Sequence, residues 1–467
     1  MSPKFDIKNI AIIGAGPCGL AAAKYLLAQK IFPNIVVFEQ QSQVGGVWNY
    51  SQETDSSTPH NVPQTNPDCP PDPPIISSEN PPIFPSPMYE TLHTNIPRAL
   101  MPFTDSPFPT KKDLLIFPSR QDVQTYLINY STPIRHLIQF STQVQDIRLQ
   151  TFNNGKDQWT IDSLSILTNK LTTSTFDAVV IATGHYSIPF IPSIPSISSF
   201  HKAHPDIITH SKYYRFPIPY KNKKVVIVGN AASGLDIASQ ISPLCKPPLL
   251  LSVRSATSPE NLSWIQPTQE LPQIASFLPE SKAVQFQNGQ IETNIDHIIF
   301  ATGYLYSFPF LKSLFPSLIT NGRRVHNLYD HLFHIDHPTL VFPGLPMKVV
   351  PLPLAQSQAA IFSRVWANLI PLPSKEEMKE WEQKEIQKRG ESKYHVWERG
   401  DDSKYINEVY ERISESKTEG KEPSFWSKEL CWEREIQPKA KLKFELDGRK
   451  AKTLEELGFK YESEGEE

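Results

Sequence analysis

Two glycine-rich stretches carry the residues best suited to chemistry. In the first, Gly14-Ala-Gly16-Pro17-Cys18-Gly19 follows the apolar run KNIAII and opens the Ala/Leu-rich stretch AAAKYLLAQK. Glycines there allow a tight turn and let a pyrophosphate approach the N–H groups of a helix N-terminus. Glu39 ends a second apolar run, NIVVFE, about 20 residues on, where a carboxylate accepts from ribose hydroxyls and repels a 2′-phosphate. In the second stretch, Gly229-Asn-Ala231-Ala-Ser233-Gly234 follows VVIV, with alanine in the middle glycine place. The run after it ends in Arg254 and Ser255, and a cation there suits the 2′-phosphate of NADP. The charge logic therefore differs between the sites. Glu39 favours a ribose with free hydroxyls, as in FAD or NAD, and Arg254 favours NADPH.

Three further segments accompany these sites. Val44-Gly45-Gly46-Val47-Trp48-Asn49 follows Glu39 within a few residues and suits a loop lying along an extended dinucleotide toward its ring. AVVIATGHY (178–186) and HIIFATGY (297–304) share a strand-ATG-aromatic form, and Thr302 and Gly303 of the latter are expected to contact a cofactor.

Positioning such residues requires two β-α-β units, at residues 8–40 and from Lys223 to about Arg254. The expected class is α/β, with two Rossmann-like dinucleotide-binding domains. The second reads as inserted in the first, because strand-like segments continue on both sides of it. The expected division is 1–215 (first domain), 216–297 (inserted domain), 298–374 (return of the first) and 375–467 (charged segment). Between the units, residues 51–110 are rich in Pro, Ser, Asn and Thr and predict little regular structure. QDVQTYLINY predicts a helix, followed by strands around Gln143–Ile147 and Gln158–Ile161, and 255–297 predicts short strands. From about Lys375 the Glu/Lys/Trp/Tyr-rich sequence has little apolar periodicity and predicts surface helices ending in the acidic tail ESEGEE.

Composition excludes several classes. A net charge of −3, with Lys and Arg spread along 467 residues, gives no nucleic-acid footprint. Four distant cysteines, without CxxC or a Cys/His cluster, argue against a disulfide framework and a metal centre and for a reducing compartment. There is no secretory signal and no apolar window of about 18 residues, so no membrane span is expected. The chain reads as cytoplasmic, with attachment at the cytosolic face of the endoplasmic reticulum left open. No nucleophile triad or carboxylate pair is evident.

Glu39 with GGVWNY resembles the FAD signature of the flavin-containing monooxygenases, most nearly their yeast and fungal thiol-specific members. The resemblance covers about residues 8–370, thinning toward 430. It includes PSPMYETLHTNIP (85–97), MPFTDSPFP (101–109), HPDIITHSKYYR (204–215), FATGYLYSFPF (300–310), RVHNLYDHLFHI (324–335) and FPGLPMKVVPLPLAQSQAA (342–360). It implies FAD in the first unit and NADPH in the second, with the ATG segments carrying the chain between them. It also implies Thr94 and Asn95 beside the flavin, with the Asn95 amide acting on the cofactor and its oxygen adduct, and Gln356 facing the ring. The family motif F-x-G-x-x-x-H-x-x-x-Y/F is met by His210 and Tyr214, while His204 and Asp206 replace its Phe and Gly. His210 reads as a structural histidine, and Tyr214 argues against the Baeyer–Villiger relatives, which carry Trp there. The implied reaction is reduction of FAD by NADPH, formation of a C4a-hydroperoxyflavin with O2, and oxygenation of soft nucleophiles. Small thiols such as glutathione, cysteine or cysteamine are the implied substrates. N-hydroxylating and Baeyer–Villiger monooxygenases are alternatives, as is a non-catalytic nucleotide-binding scaffold. A disulfide reductase would need a second cysteine near Cys18. A homodimer is left open.

Overall fold

The computed structural model describes residues 3–52, 61–76, 81–109, 113–152, 156–314 and 317–462, so all but the first residue of the expected acidic tail lies outside the described residues. Short strands of Ile, Val, Ala and Leu, apolar on both faces, form the centres of two sheets with helices packed against them. The first sheet runs in the order Leu328–Tyr329, Phe333–His334, Leu340–Val341, Ala178–Ile181, Asn9–Ile13, Asn34–Phe38, Ile138–Gln139. Asn9–Ile13 is parallel to both neighbours, with Ile10 opposite Ile35 and Ala178. Helices Pro17–Ala28 and Pro351–Trp366 share the core on one face of this sheet. The second sheet, in the order Thr268–Leu271, Leu249–Ser252, Val225–Val228, His297–Phe300, Ile208–His210, is wholly parallel.

The chain leaves the first sheet after Ala178–Ile181 and returns to it at Leu328–Tyr329, so the second unit is inserted in the first. The two crossings meet as an antiparallel pair, Ile188–Pro189 against Tyr304–Leu305. The expected limits at 215/216 and 297/298 cut through the inserted sheet. Ile208–His210 pairs with His297–Phe300, Ile208 opposite Ile298, and both strands belong to the second unit. Strand pairing decides this, and neither short segment announces its partner.

Thr142–Thr151 and Asp157–Ser165 form an antiparallel sheet with a third, unexpected strand, Lys170–Phe176. That strand, KLTTSTF, buries only Phe176 and so lacks the alternation that marks strands in sequence. Within 51–110 the described residues hold no helix or strand, only isolated bridges such as Gln64 with Ile191.

The charged segment contains helices Lys375–Arg389, Asp401–Ser416 and Lys428–Leu446. They are more than a surface layer. Ile406, Val409 and Ile413 are buried at helical spacing, and Ala440 and Phe444 share a core with Phe117. Few apolar anchors among many charges had masked that period. Among the described residues, no helix is long and apolar enough to cross a membrane, and no His/Cys/Asp/Glu group is arranged to hold a metal.

Candidate active site

Both glycine turns are built to one plan. The Gly14 N–H donates to the Phe38 carbonyl at 2.8 Å and the Gly229 N–H to that of Ser252 at 2.9 Å. Gly14 and Gly229 have φ of +103° and +108°, and a Cβ on either would lie 2.7 Å from the carbonyl oxygen of Ala182 or Ala301, respectively. A Cβ on Gly19 would lie 1.9 Å from the Gly14 oxygen, and one on Gly234 2.0 Å from that of Gly229. The alanine of each ATG segment thus closes the turn of its own unit. Gly16 differs: the nearest atom to its would-be Cβ is Gly46 Cα at 3.6 Å, so its bareness leaves open space.

Helix Pro17–Ala28 begins at Gly16 and helix Ala232–Ile241 at Ala231, neither with a side-chain cap nor an acid in its first turn. Helices Arg120–Ser131, Lys375–Arg389 and Lys428–Leu446 are capped by Ser119, Ser374 and Ser427. The uncapped N–H groups, reinforced by the helix dipole, fit a dinucleotide pyrophosphate at each turn.

A cleft of about 2030 Å³ runs between the units. Its wall includes Gly14, Gly16, Pro17, Cys18, Glu39, Gly46, Val47, Trp48, Thr94, Asn95, Ser233 and Arg254. Gly19, Gly229, Ala231 and Gly234 are not on the wall and shape the turns behind it. The buried Glu39 carboxylate accepts from the N–H of Ala15 at 2.6 Å and of Gln41 at 2.8 Å. Burial raises its pKa to about 7 against the opposing effect of these donors. Cys18 is an unpaired thiol pushed up to about 12 by burial, without the second sulfur that a dithiol reductase needs. Thr94 is buried, its N–H donating to the Pro118 carbonyl, while Asn95 is exposed.

Three expected contacts lie elsewhere. Gln356 is fully buried behind the wall, its Oε1 accepting from the Thr104 N–H at 3.0 Å and the Ser424 hydroxyl at 2.8 Å. Its position on the helix turns it toward those loops. Thr302 and Gly303 sit at the crossing: the Thr302 hydroxyl donates to the Phe190 carbonyl, and the Gly303 carbonyl accepts from the Phe190 N–H at 2.9 Å. His210 is buried, Nε2 3.0 Å from the same Gly303 oxygen and Nδ1 accepting from the Lys212 N–H. Tyr214 donates to Gln240 at 2.9 Å, His204 Nε2 lies 2.9 Å from the Pro279 oxygen, and Asp206 is exposed. His210, Tyr214 and His204 pack the inserted unit, and none of the four reaches the cleft wall.

Several wall residues escaped the sequence analysis. Arg323 stacks over Phe190 at 3.7 Å and feels the charge of Arg254, which adds to burial in lowering its pKa. His185, directly after the first ATG, is buried with both ring nitrogens unpartnered, and burial lowers its pKa to about 4. Its place beside an ATG segment was a usable signal. Lys348, Arg434, Gln437 and Pro438 also line the cleft.

Two nucleotide-binding units facing one cleft, with a carboxylate in the first and an arginine in the second, define a two-dinucleotide-binding-domain flavoprotein. A model of the flavin-binding monooxygenase-like family matches residues 82–265 and 272–450, one of NAD(P)-binding Rossmann-like domains matches 12–68, and the chain belongs to the former family. It is 32% identical over 388 residues to the thiol-specific monooxygenase of Saccharomyces cerevisiae, covering 79% of each chain. Flavin-containing monooxygenase FMO GS-OX-like 9 of Arabidopsis thaliana is 32% identical over 380 residues, covering 79% of this chain and 78% of the relative. In structure the chain is similar to S-allyl-L-cysteine S-oxygenase from Allium sativum, with a TM-score of 0.76, 26% identity and 98% of both chains covered. The protein is a flavin-dependent monooxygenase using FAD and NADPH.

Proposed function

We propose that the protein oxygenates the sulfur of small thiols, consuming NADPH and O2. The carrying observation is the cleft itself, whose lining brings Asn95 together with Gly16 and Gly46–Trp48 of the first nucleotide unit and Ser233 and Arg254 of the second. The redox chemistry would come from bound FAD, which would take hydride from NADPH and supply an electrophilic oxygen from O2. A soft nucleophile can attack such an oxygen without a general base. The protein's tasks are then to bind, orient and exclude water. The Gly16 turn receives the FAD pyrophosphate and Glu39 its ribose. Pro17, Cys18, Val47, Trp48 and Thr94 would hold the flavin, with the Asn95 amide available to hydrogen-bond it. Gly229, Ala231, Ser233 and Gly234 form the NADPH turn, with Arg254 on the 2′-phosphate. The names of the yeast and Allium relatives support sulfur as the acceptor. Four unpaired cysteines support a cytoplasmic setting.

The test is aerobic turnover with glutathione, cysteine and cysteamine, following NADPH, oxygenated product and peroxide together. The expected result is product rising and peroxide falling as thiol is added. Peroxide release indifferent to every thiol would sink the reading, and product only with an amine would move it to N-oxygenation. Asn95→Ala is expected to retain FAD yet lose product, and unchanged turnover would remove Asn95 from the site.

A further inference from the structure

The C-terminal helices reach the cleft through one connected set of polar groups. Asp402, on Asp401–Ser416, is fully buried and accepts from Arg434 Nε, on Lys428–Leu446, at 2.8 Å. The same Asp402 oxygen accepts the Val350 N–H at 3.0 Å, and Arg434 Nη2 donates to the Lys348 carbonyl at 2.7 Å. Arg434 Nη1 donates to Gln437 Oε1 at 3.0 Å, and Gln437 Nε2 donates to the Asn95 carbonyl. Lys348 holds a left-handed φ of +64°, a strained conformation for a side-chain-bearing residue that its surroundings must maintain. Pro438, also on the wall, lies inside the helix and has no N–H for the Arg434 carbonyl one turn back, so the helix lacks one backbone hydrogen bond at the cleft.

We propose that Asp402, Arg434 and Gln437 are positioning residues that hold two walls of the cleft, the Asn95 turn and Lys348–Val350, in mutual register. The charged C-terminal segment thereby completes the active site, and Gln437 acts through Asn95. This rests on the role of Asn95 proposed above. A buried charge cannot be left alone without large cost, so Asp402 and Arg434 form the fixed anchor, and the half-buried Gln437 is the link open to testing.

The test compares the FAD-bound wild type with Gln437→Leu, Asn95→Ala and the double variant. Gln437→Met, which keeps length and helix propensity, serves if the leucine variant does not fold. Hydrogen–deuterium exchange of residues 94–98 is expected to rise about fivefold in the Gln437 variant, the equivalent of one lost hydrogen bond, with residues 229–241 unchanged. Peroxide released per NADPH is expected to rise by a similar factor, the rate of FAD reduction by NADPH is expected to hold, and the double variant should match Asn95→Ala alone. Unchanged exchange at 94–98, or multiplied losses in the double variant, would overturn the proposal. If Asn95→Ala itself leaves coupling intact, the Asn95 role falls, and exchange at 94–98 still decides whether Gln437 fixes that turn.

Discussion

The carbonyl oxygen of Gly229 lies 2.0 Å from where a Cβ on Gly234 would stand, a separation that non-bonded heavy atoms do not tolerate. Gly234→Ala must therefore displace the turn that begins helix Ala232–Ile241. A separate sheet builds the first turn, so FAD should stay bound. The expected outcome is a yellow protein whose flavin is reduced by dithionite but no longer by NADPH, at a stability cost of about 1–3 kcal/mol. Rapid reduction by NADPH would count against the second site.

Gly16 and Gly19 belong to one fingerprint but make opposite predictions. A methyl on Gly19 would strike the Gly14 carbonyl at 1.9 Å, whereas one on Gly16 would meet nothing nearer than 3.6 Å. Gly19→Ala should damage fold and FAD binding together. Gly16→Ala should leave the apoprotein's unfolding free energy within about 0.5 kcal/mol of wild type while FAD affinity falls. Calorimetry of the apoproteins and FAD titration separate the two effects.

The sequence proposes Arg254 as the partner of a 2′-phosphate, and the structure places Arg323 on the cleft wall within reach of its charge. Each →Ala variant should raise KM for NADPH about tenfold and leave KM for NADH nearly unchanged, since a lost charge-assisted contact costs about 1.5 kcal/mol or more. Equal effects on both nucleotides would remove that arginine from phosphate recognition.

Acid should weaken the fold through buried histidines. Burial, aided by His337, lowers His334 to about 4, and His185 is held equally low. Below about pH 6.5 the unfolded chain takes up protons that the native state refuses, so stability is lost as pH falls toward 4. Glu39 and Asp330, each raised to about 7, act in the opposite direction across the same range. The histidine share is isolated by His334→Gln, which should reduce the loss in unfolding free energy between pH 6.5 and 5 by about 1.5 kcal/mol. An unaltered slope would mean that His334 is not held neutral.

The two nucleotide units, with their glycine turns at Gly14, Gly16 and Gly19 and at Gly229 and Gly234, were determined by sequence alone, which also nominated Glu39 and Arg254 for the cofactors. Dinucleotide recognition here is built from backbone turns, and a turn of fixed geometry leaves a glycine pattern at fixed local spacing. Tertiary structure decided the rest. Ile208–His210 joined the inserted sheet because His297–Phe300 lay free to pair with it. Thr302 and Gly303 became ties at the crossing, and Gln356 turned to Thr104 and Ser424. Gln437 reached Asn95 across 342 positions. Contacts of that range depend on how separate helices pack around a common cleft, and packing leaves no periodic mark on the residues it brings together.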